Sequence, residues 1–186
     1  MKIIGFYTAD TPYEQEAEEM KKTLDKFNLS YQLYEVDNQK SWELNCAQKS
    51  RILRMALDDF DENILYLDVD ARVMRQPPFK DIEKDIPGYC VWYNPFKRQE
   101  QLCSGTIYFP NNYISRRVIE DWIYEQQKDP KQWDQVVLQR IYQEYDHFLL
   151  HDDWINIERN ARNRFIETDD PIILHTQASR RNKKKV

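Results

Sequence analysis

Short apolar runs alternate along this chain with segments in which apolar residues return every three or four positions. Runs at 3–7, 31–36, 63–67, 89–93, 107–109, 147–150 and 172–174 read as strands, some buried on both faces. Between the first two, Tyr13, Ala17, Met20, Leu24 and Phe27 fall at helical spacing, with Glu and Lys residues between them facing water. That helix opens on Thr11-Pro12-Tyr13-Glu14, a Thr cap, Pro at the first helical position and a Glu completing a capping box, and Asn28 stops it. A second helix is predicted over 45–60, started by Asn45 and Gln48, with Leu53, Ala56 and Phe60 as its inner stripe and Lys49 on that stripe one turn earlier.

Farther on, Gln76-Pro77-Pro78-Phe79 breaks the pattern, 81–85 is an acidic short helix or loop, and 94–101 reads as a polar loop. Ser104-Gly105-Thr106 leads into the strand at 107–109, and Val118 and Trp122 mark a helix over 114–125. Trp133-Asp134-Gln135 opens a helix over 136–142, where Asp134 suits the dipole, and 151–156 is a loop. Strands alternating with helices predict an α/β fold with a partly parallel sheet. There is no internal repeat; one domain is expected over 1–179, followed by a basic tail at 180–186.

The most informative stretch is Asn63-Ile64-Leu65-Tyr66-Leu67-Asp68-Val69-Asp70-Ala71. A buried strand here ends in two carboxylates one residue apart. At the carboxyl edge of an open α/β sheet, such a pair can hold a divalent cation and, through it, a diphosphate. The predicted second helix starts at that same edge, so an inward Lys49 is placed for a phosphate.

Composition narrows the classes. A net charge of −5 argues against nucleic acid as a partner. Three cysteines, Cys46, Cys90 and Cys103, without metal-type spacing fit a reducing compartment. With no signal-peptide pattern near Met1 and no run of the ~20 apolar residues a membrane span needs, a soluble, cytoplasmic protein is expected.

Taken in order, the early strand with its polar turn, the Asp-X-Asp strand end, Ser104-Gly105-Thr106, Asp134-Gln135 and the late His175 resemble a GT-A nucleotide-diphospho-sugar glycosyltransferase. The likeness is to the family-eight group that includes glycogenin and bacterial galactosyltransferases, and it spans about Ile3 to Arg180. The resemblance implies a single GT-A (Rossmann-like) domain with a mixed, mostly parallel central sheet flanked by helices. It implies a retaining, metal-dependent transfer of a hexose from UDP-glucose or UDP-galactose to an acceptor that the residues do not identify. Tyr7, Thr8 and Ala9 resemble the turn that holds the uracil and ribose, and Lys49 a basic residue over the donor. Asp68 resembles the carboxylate that touches ribose or metal, Asp70 the direct metal ligand, and His175 the histidine that completes the metal site. Histidine among oxygen ligands leans toward Mn²⁺ over Mg²⁺. Ser104 and Gly105 match the Ser-Gly of the family's Asn-Ser-Gly facing the sugar, with Cys103 in place of the Asn. Asp134 and Gln135 are similar to the pair on the sugar hydroxyls near the anomeric carbon. Trp154 and Asn156 resemble a Trp-Asn element with Ile155 inserted, and Arg180 stands in for a lysine on the diphosphate.

Each residue also has a plainer reading. Asp-X-Asp arises by chance where a strand meets an acidic turn, His175 can be an edge histidine, and Lys49 a snorkelling stem. Asp134 can be only a cap and Gln135 a surface amide. Trp92, Tyr93 and Trp154 fall where a sugar-stacking platform is useful, and the basic tail is either a solvated end or a flap over the donor. A haloacid-dehalogenase phosphatase is disfavoured, because its Asp-X-Asp lies near the N-terminus with Thr or Val fifth, where this chain has Arg72. A sugar-phosphate nucleotidylyltransferase needs a Gly-rich loop after the first strand, and this chain has only three glycines. The remaining alternative is a non-catalytic nucleotide-sugar or glycan-binding relic of the fold.

Overall fold

One strand in from the edge of the sheet, β1 (Lys2–Thr8) pairs in parallel with the edge strand β2 (Tyr31–Val36) on one side and β3 (Ile64–Leu67) on the other. The computed structural model describes residues 1–94, 98–157 and 168–183, with backbone alone at 92–94. Beyond β3 lie β6 (Gln99–Phe109), β5 (Gly88–Asn94) and β7 (Phe148–Leu149), giving the order β2-β1-β3-β6-β5-β7. Only β6 runs against the other strands of this sheet. A second, three-stranded sheet joins β4 (Ala71–Val73), β9 (Ile173–His175) and β8 (Asn156–Ile157).

Successive strand residues point to opposite faces, and in β1 and β3 both faces are apolar. Ile3, Leu65 and Leu67 face α1 (Tyr13–Lys26) and its buried Ala17, Met20 and Leu24. Ile4, Ile64 and Tyr66 face α3 (Lys49–Asp59), α4 (Tyr113–Lys128) and α5 (Asp134–Ile141), through Leu53, Ala56, Val118, Trp122 and Leu138. Each fully buried aliphatic side chain here contributes about 1.5–3 kcal/mol, so this pair of strands is anchored from both sides and holds its carboxyl edge in place.

Several local expectations are refined. Asn28 does end α1: it takes φ 50°, and the Leu29 N–H donates to the Leu24 carbonyl at 3.1 Å, closing the last turn. The capping box is displaced by one residue. Glu14 accepts the Asp10 N–H at 2.7 Å, while the Thr11 hydroxyl accepts the Tyr13 N–H at 3.2 Å and donates to the Thr8 carbonyl at 2.8 Å. The helix predicted over 45–60 is two: α2 (Trp42–Cys46) and α3, joined through Ala47 and Gln48, both in helical backbone conformation. Of the polar loop predicted at 94–101, Asn94 ends β5 and Gln99, Glu100 and Gln101 begin β6, paired as a hairpin; residues 95–97 lie outside the described residues. Ser104-Gly105-Thr106 therefore sits within a strand. The helix predicted from 114 starts at Tyr113 and runs to Lys128, because the Asn112 side chain accepts the Ser115 N–H at 3.1 Å. A short helix, α6 (Ala178–Asn182), follows β9. Among the described residues, no helix is long and apolar enough to cross a membrane.

Candidate active site

Two antiparallel pairings carry distant residues to the end of β3. In β6 the register sets Thr106 opposite Leu67, so Ser104 and Gly105 arrive alongside Asp68, whose N–H donates to the Gly105 carbonyl at 2.8 Å. In the small sheet Ala71 lies opposite His175, which brings the imidazole beside Asp70 although the two are 105 positions apart. A cleft with a cavity volume of about 140 Å³ opens here at the carboxyl edge of β1 and β3.

At one end of the cleft a lysine sits between carboxylates. Lys49, only 3% exposed, places its Nζ 2.9 Å from Asp68 Oδ1 and 2.9 Å from Asp134 Oδ2. The same ammonium donates to the Ser104 carbonyl and hydroxyl, each at 3.2 Å, and lies 4.9 Å over the Tyr66 ring. Burial works against this charge, but Asp134 and Asp68 outweigh it and hold the lysine above its usual range. Burial pushes the Asp134 carboxyl up, with Lys49 opposing. Asp134 Oδ2 also accepts from the Ser104 hydroxyl at 3.2 Å, whereas its buried Oδ1 has no partner among the described residues. Gln135 accepts the Ser104 N–H at 3.3 Å through Oε1. The Tyr66 hydroxyl donates to Asp68 Oδ1 at 2.7 Å.

At the other end Asp70 meets His175. The Asp70 carboxylate stands with Oδ1 3.2 Å from His175 Nδ1, and its Oδ2 accepts the Ala178 N–H at 2.8 Å. His175 Nε2 is 2.9 Å from the Thr106 hydroxyl. Burial alone would push the Asp70 carboxyl up, but His175, the Ala178 N–H and Arg72 hold it below the usual carboxylate range. Gly105 lies beneath Asp68 and His175. A Cβ there would stand 3.0 Å from His175 Cε1 and 3.2 Å from Asp68 Oδ2, so a side chain would fill the space where imidazole and carboxylate converge.

The donor set suits a divalent cation. In the tautomer whose Nε2–H donates to the Thr106 hydroxyl, Nδ1 keeps a lone pair that a cation seated between it and Asp70 would take in place of the direct contact. Two ligands at ~2.1–2.2 Å on adjacent octahedral positions stand about 3.0 Å apart, close to the 3.2 Å between Nδ1 and Oδ1. Asp68 Oδ2 is a third donor atom, beside the glycine that also touches His175. Among the described residues no three such side chains already form a closed ligand group.

Of the residues singled out in the sequence, Tyr7, Thr8, Lys49, Asp68, Asp70, Ser104, Asp134 and Gln135 line the cleft. His175 and Gly105 lie against its carboxylates. Ala9 is bonded to β2 through its N–H, and Arg180 lines an adjoining cavity. Trp154 is buried near Phe79, and Asn156 donates to the Thr168 carbonyl at 3.1 Å; neither lines the cleft. The side chains of Trp92 and Tyr93 lie outside the described residues. Sequence reading missed Tyr66, Trp42, Asn45, Cys46 and Trp133, which also line the cleft. The signals were present. Tyr66 shares a strand face with Asp68 two residues on, and Trp42, Asn45 and Cys46 precede Lys49 at seven, four and three residues, the spacing of one helical face.

The chain resembles solved glycosyltransferases along most of its length. A glycosyltransferase involved in glycosylation of the major capsid of the virus PBCV-1 is 14% identical, with TM-score 0.72 over 97% of this chain and 96% of that one. The galactosyltransferase LgtC, solved with donor and acceptor sugar analogues, is 13% identical, with TM-score 0.61 over 95% and 87%. GlyE of Streptococcus pneumoniae is 15% identical, with TM-score 0.63 over 95% of this chain but 54% of its own. At these identities the likeness establishes the fold, GT-A. No curated protein matches the sequence. Residues 18–186, which include both aspartates, Lys49 and His175, match the family described as nucleotide-diphospho-sugar transferase. The chain belongs to the nucleotide-diphospho-sugar transferase family.

Proposed function

We propose that the chain moves a hexose from UDP-glucose or UDP-galactose onto an acceptor hydroxyl, with retention at the anomeric carbon and with Mn²⁺ or Mg²⁺ held by Asp68, Asp70 and His175. Uridine, hexose and retention rest on the family-eight resemblance. The observation that carries the reading is the meeting of the Asp-X-Asp end of β3 with a histidine from a different sheet at the floor of one cleft.

Tyr7 and Thr8, at the end of β1, are assigned to the uracil and ribose; the Tyr7 ring lines the cleft while its hydroxyl is held by Glu35 at 3.0 Å. Asp134 is assigned to the sugar, with its unpartnered Oδ1 accepting from sugar hydroxyls near the anomeric carbon. Gln135 uses its oxygen on the Ser104 N–H, which leaves its amide nitrogen to donate to the donor sugar. Lys49 is a positioning residue: its ammonium touches both carboxylates and holds Asp68 and Asp134 side by side. A bound cation would offset the charge that grows on the departing diphosphate. In the transfer, the bond from the anomeric carbon to the phosphate oxygen breaks, a bond to the acceptor oxygen forms, and the acceptor proton goes to the departing diphosphate.

Calorimetric titration with UDP-glucose and UDP-galactose, with and without Mn²⁺, followed by an assay for released UDP, tests this. Metal-dependent binding with UDP release is expected. Binding without turnover would make the chain a binding relic, and no nucleotide binding would reject both.

A further inference from the structure

Beside the donor cleft lies a second, more open cavity that shares Trp42, Trp133 and Ser179 with it. The two indoles form its wall, with ring centroids 5.9 Å apart and planes inclined at 50°. Trp133 is 37% exposed, a wide apolar ring on the edge of this hollow. It immediately precedes Asp134, so a molecule resting on it stands next to the carboxylate assigned to the donor sugar. Around the indoles the lining is cationic. Lys183 sits 4.0 Å over the Trp42 ring and 2.8 Å from Glu43, and Lys131 and Arg180 complete the rim. Among the described residues Lys131 is in no ion pair. Three cations against one carboxylate make this a positive hollow on a chain whose net charge is −5, a local potential that attracts anions.

Each feature selects part of a ligand. An indole face open to water suits the C–H face of a pyranose ring, because it offers a large apolar area with little side-chain entropy to lose. The lysines and the arginine suit a carboxylate or phosphate on that ring. Position next to Asp134 suits the molecule that receives the hexose. We propose that this cavity is the acceptor subsite and that the acceptor is a sugar carrying an acidic group. The inference rests on the transferase reading and names the substrate class of the same site. One acceptor hydroxyl gains the hexose and its proton leaves with the nucleoside diphosphate, as above.

The test measures transfer from UDP-glucose, and in parallel UDP-galactose, to three matched disaccharide acceptors: one ending in a hexuronic acid, one in a hexose 6-phosphate and one in a neutral hexose. UDP release into water without acceptor is recorded alongside. Acidic acceptors are expected to show KM values several-fold lower than the neutral one, and the two acidic arms distinguish carboxylate from phosphate. Lys131→Glu should raise KM for the preferred acidic acceptor by about fivefold, the scale of an exposed charge pair, with the neutral acceptor and UDP release into water unchanged. Glu43→Gln, which removes the one carboxylate, should lower that KM. Equal use of neutral and acidic acceptors, or an effect of Lys131→Glu on the donor KM alone, would overturn the subsite. If the parent protein neither binds nor turns over either donor, the transferase reading itself fails, and this inference with it.

Discussion

The two aspartates of one short motif end up in opposite chemical situations. Asp68 is tied into a buried cluster in which a lysine and a tyrosine hydroxyl occupy one of its oxygens. Asp70, two residues on, faces an imidazole nitrogen and the N–H at the start of a helix. The first end of the cleft is tied together around one lysine; the second brings an imidazole nitrogen and a carboxylate oxygen within 3.2 Å of each other. Asp-X-Asp is thus two devices. In the proposed reading, Asp68 Oδ1 helps to hold the cluster around Asp134, while Asp68 Oδ2, Asp70 and a histidine from the far end of the chain would meet the cation.

The comparison breaks most sharply at Lys49. Lys49→Met leaves the fully buried Asp134 carboxylate without its cation, and stripping one partner from a buried pair costs roughly 3–5 kcal/mol. Urea unfolding should show a loss of about 3 kcal/mol, and Lys49→Met with Asp134→Asn should recover much of it, since the stranded charge is then gone. A loss in the single variant no larger than that of an exposed ion pair would mean that the buried Asp134 carboxylate does not depend on this lysine.

The second test falls on the other end. Asp70→Ala removes the acid from the pair that faces the cation while leaving the lysine cluster untouched. UDP affinity in Mn²⁺ is expected to fall by at least about 100-fold. The folded state should lose only about 1 kcal/mol, because the Ala178 N–H loses its acceptor. If the variant binds UDP and Mn²⁺ as the parent does, Asp70 is not a ligand.

Most of the framework behind these two ends was legible in the chain. The run from Ile64 to Leu67 announced a strand buried on both faces, and Asn28 and Tyr13 to Phe27 announced the helix that covers one of them. What local pattern does not encode is which strands pair. β4 is only Ala71–Val73, too short to register as apolar alternation, yet its antiparallel pairing with β9 is what sets His175 beside Asp70. The resemblance supplied the histidine; no periodicity did. Only the far end of the β5–β6 hairpin reads as a loop in sequence, because Gln99, Glu100 and Gln101 at the start of β6 are polar. The helix break at Ala47-Gln48 was invisible because both residues keep helical backbone, so the side-chain spacing runs through the join. The aromatic wall of Trp42 and Trp133 joins two helices that only tertiary packing brings together.

A finer test lies at the seam between the ends. Gly105→Ala adds a methyl 3.0 Å from His175 Cε1 and 3.2 Å from Asp68 Oδ2, close enough that one of them must give. The backbone there is an ordinary strand, so the fold should survive. Metal-dependent UDP binding is expected to weaken about tenfold, with metal-free binding unchanged. Equal losses with and without metal would mean that Gly105 serves the sugar side of the cleft, as its place in the Ser-Gly pair implies, and not the cation.

The smallest effect is expected at Tyr66, and it distinguishes support of an oxygen from support of a charge. Its hydroxyl donates to Asp68 Oδ1 at 2.7 Å, the same oxygen that Lys49 holds at 2.9 Å. Tyr66→Phe deletes that one bond and keeps the ring beneath the Lys49 ammonium. Since the lysine still holds the oxygen and the half-exposed carboxylate can recruit water, the loss should be near 1 kcal/mol of stability. If Asp68 needs both partners to keep Oδ2 turned toward His175, metal affinity should fall as well, by a few-fold. A variant with parental metal affinity but reduced stability would assign Tyr66 to the lysine cluster alone, and the boundary between the two ends of the cleft would then run through the Asp68 carboxylate itself.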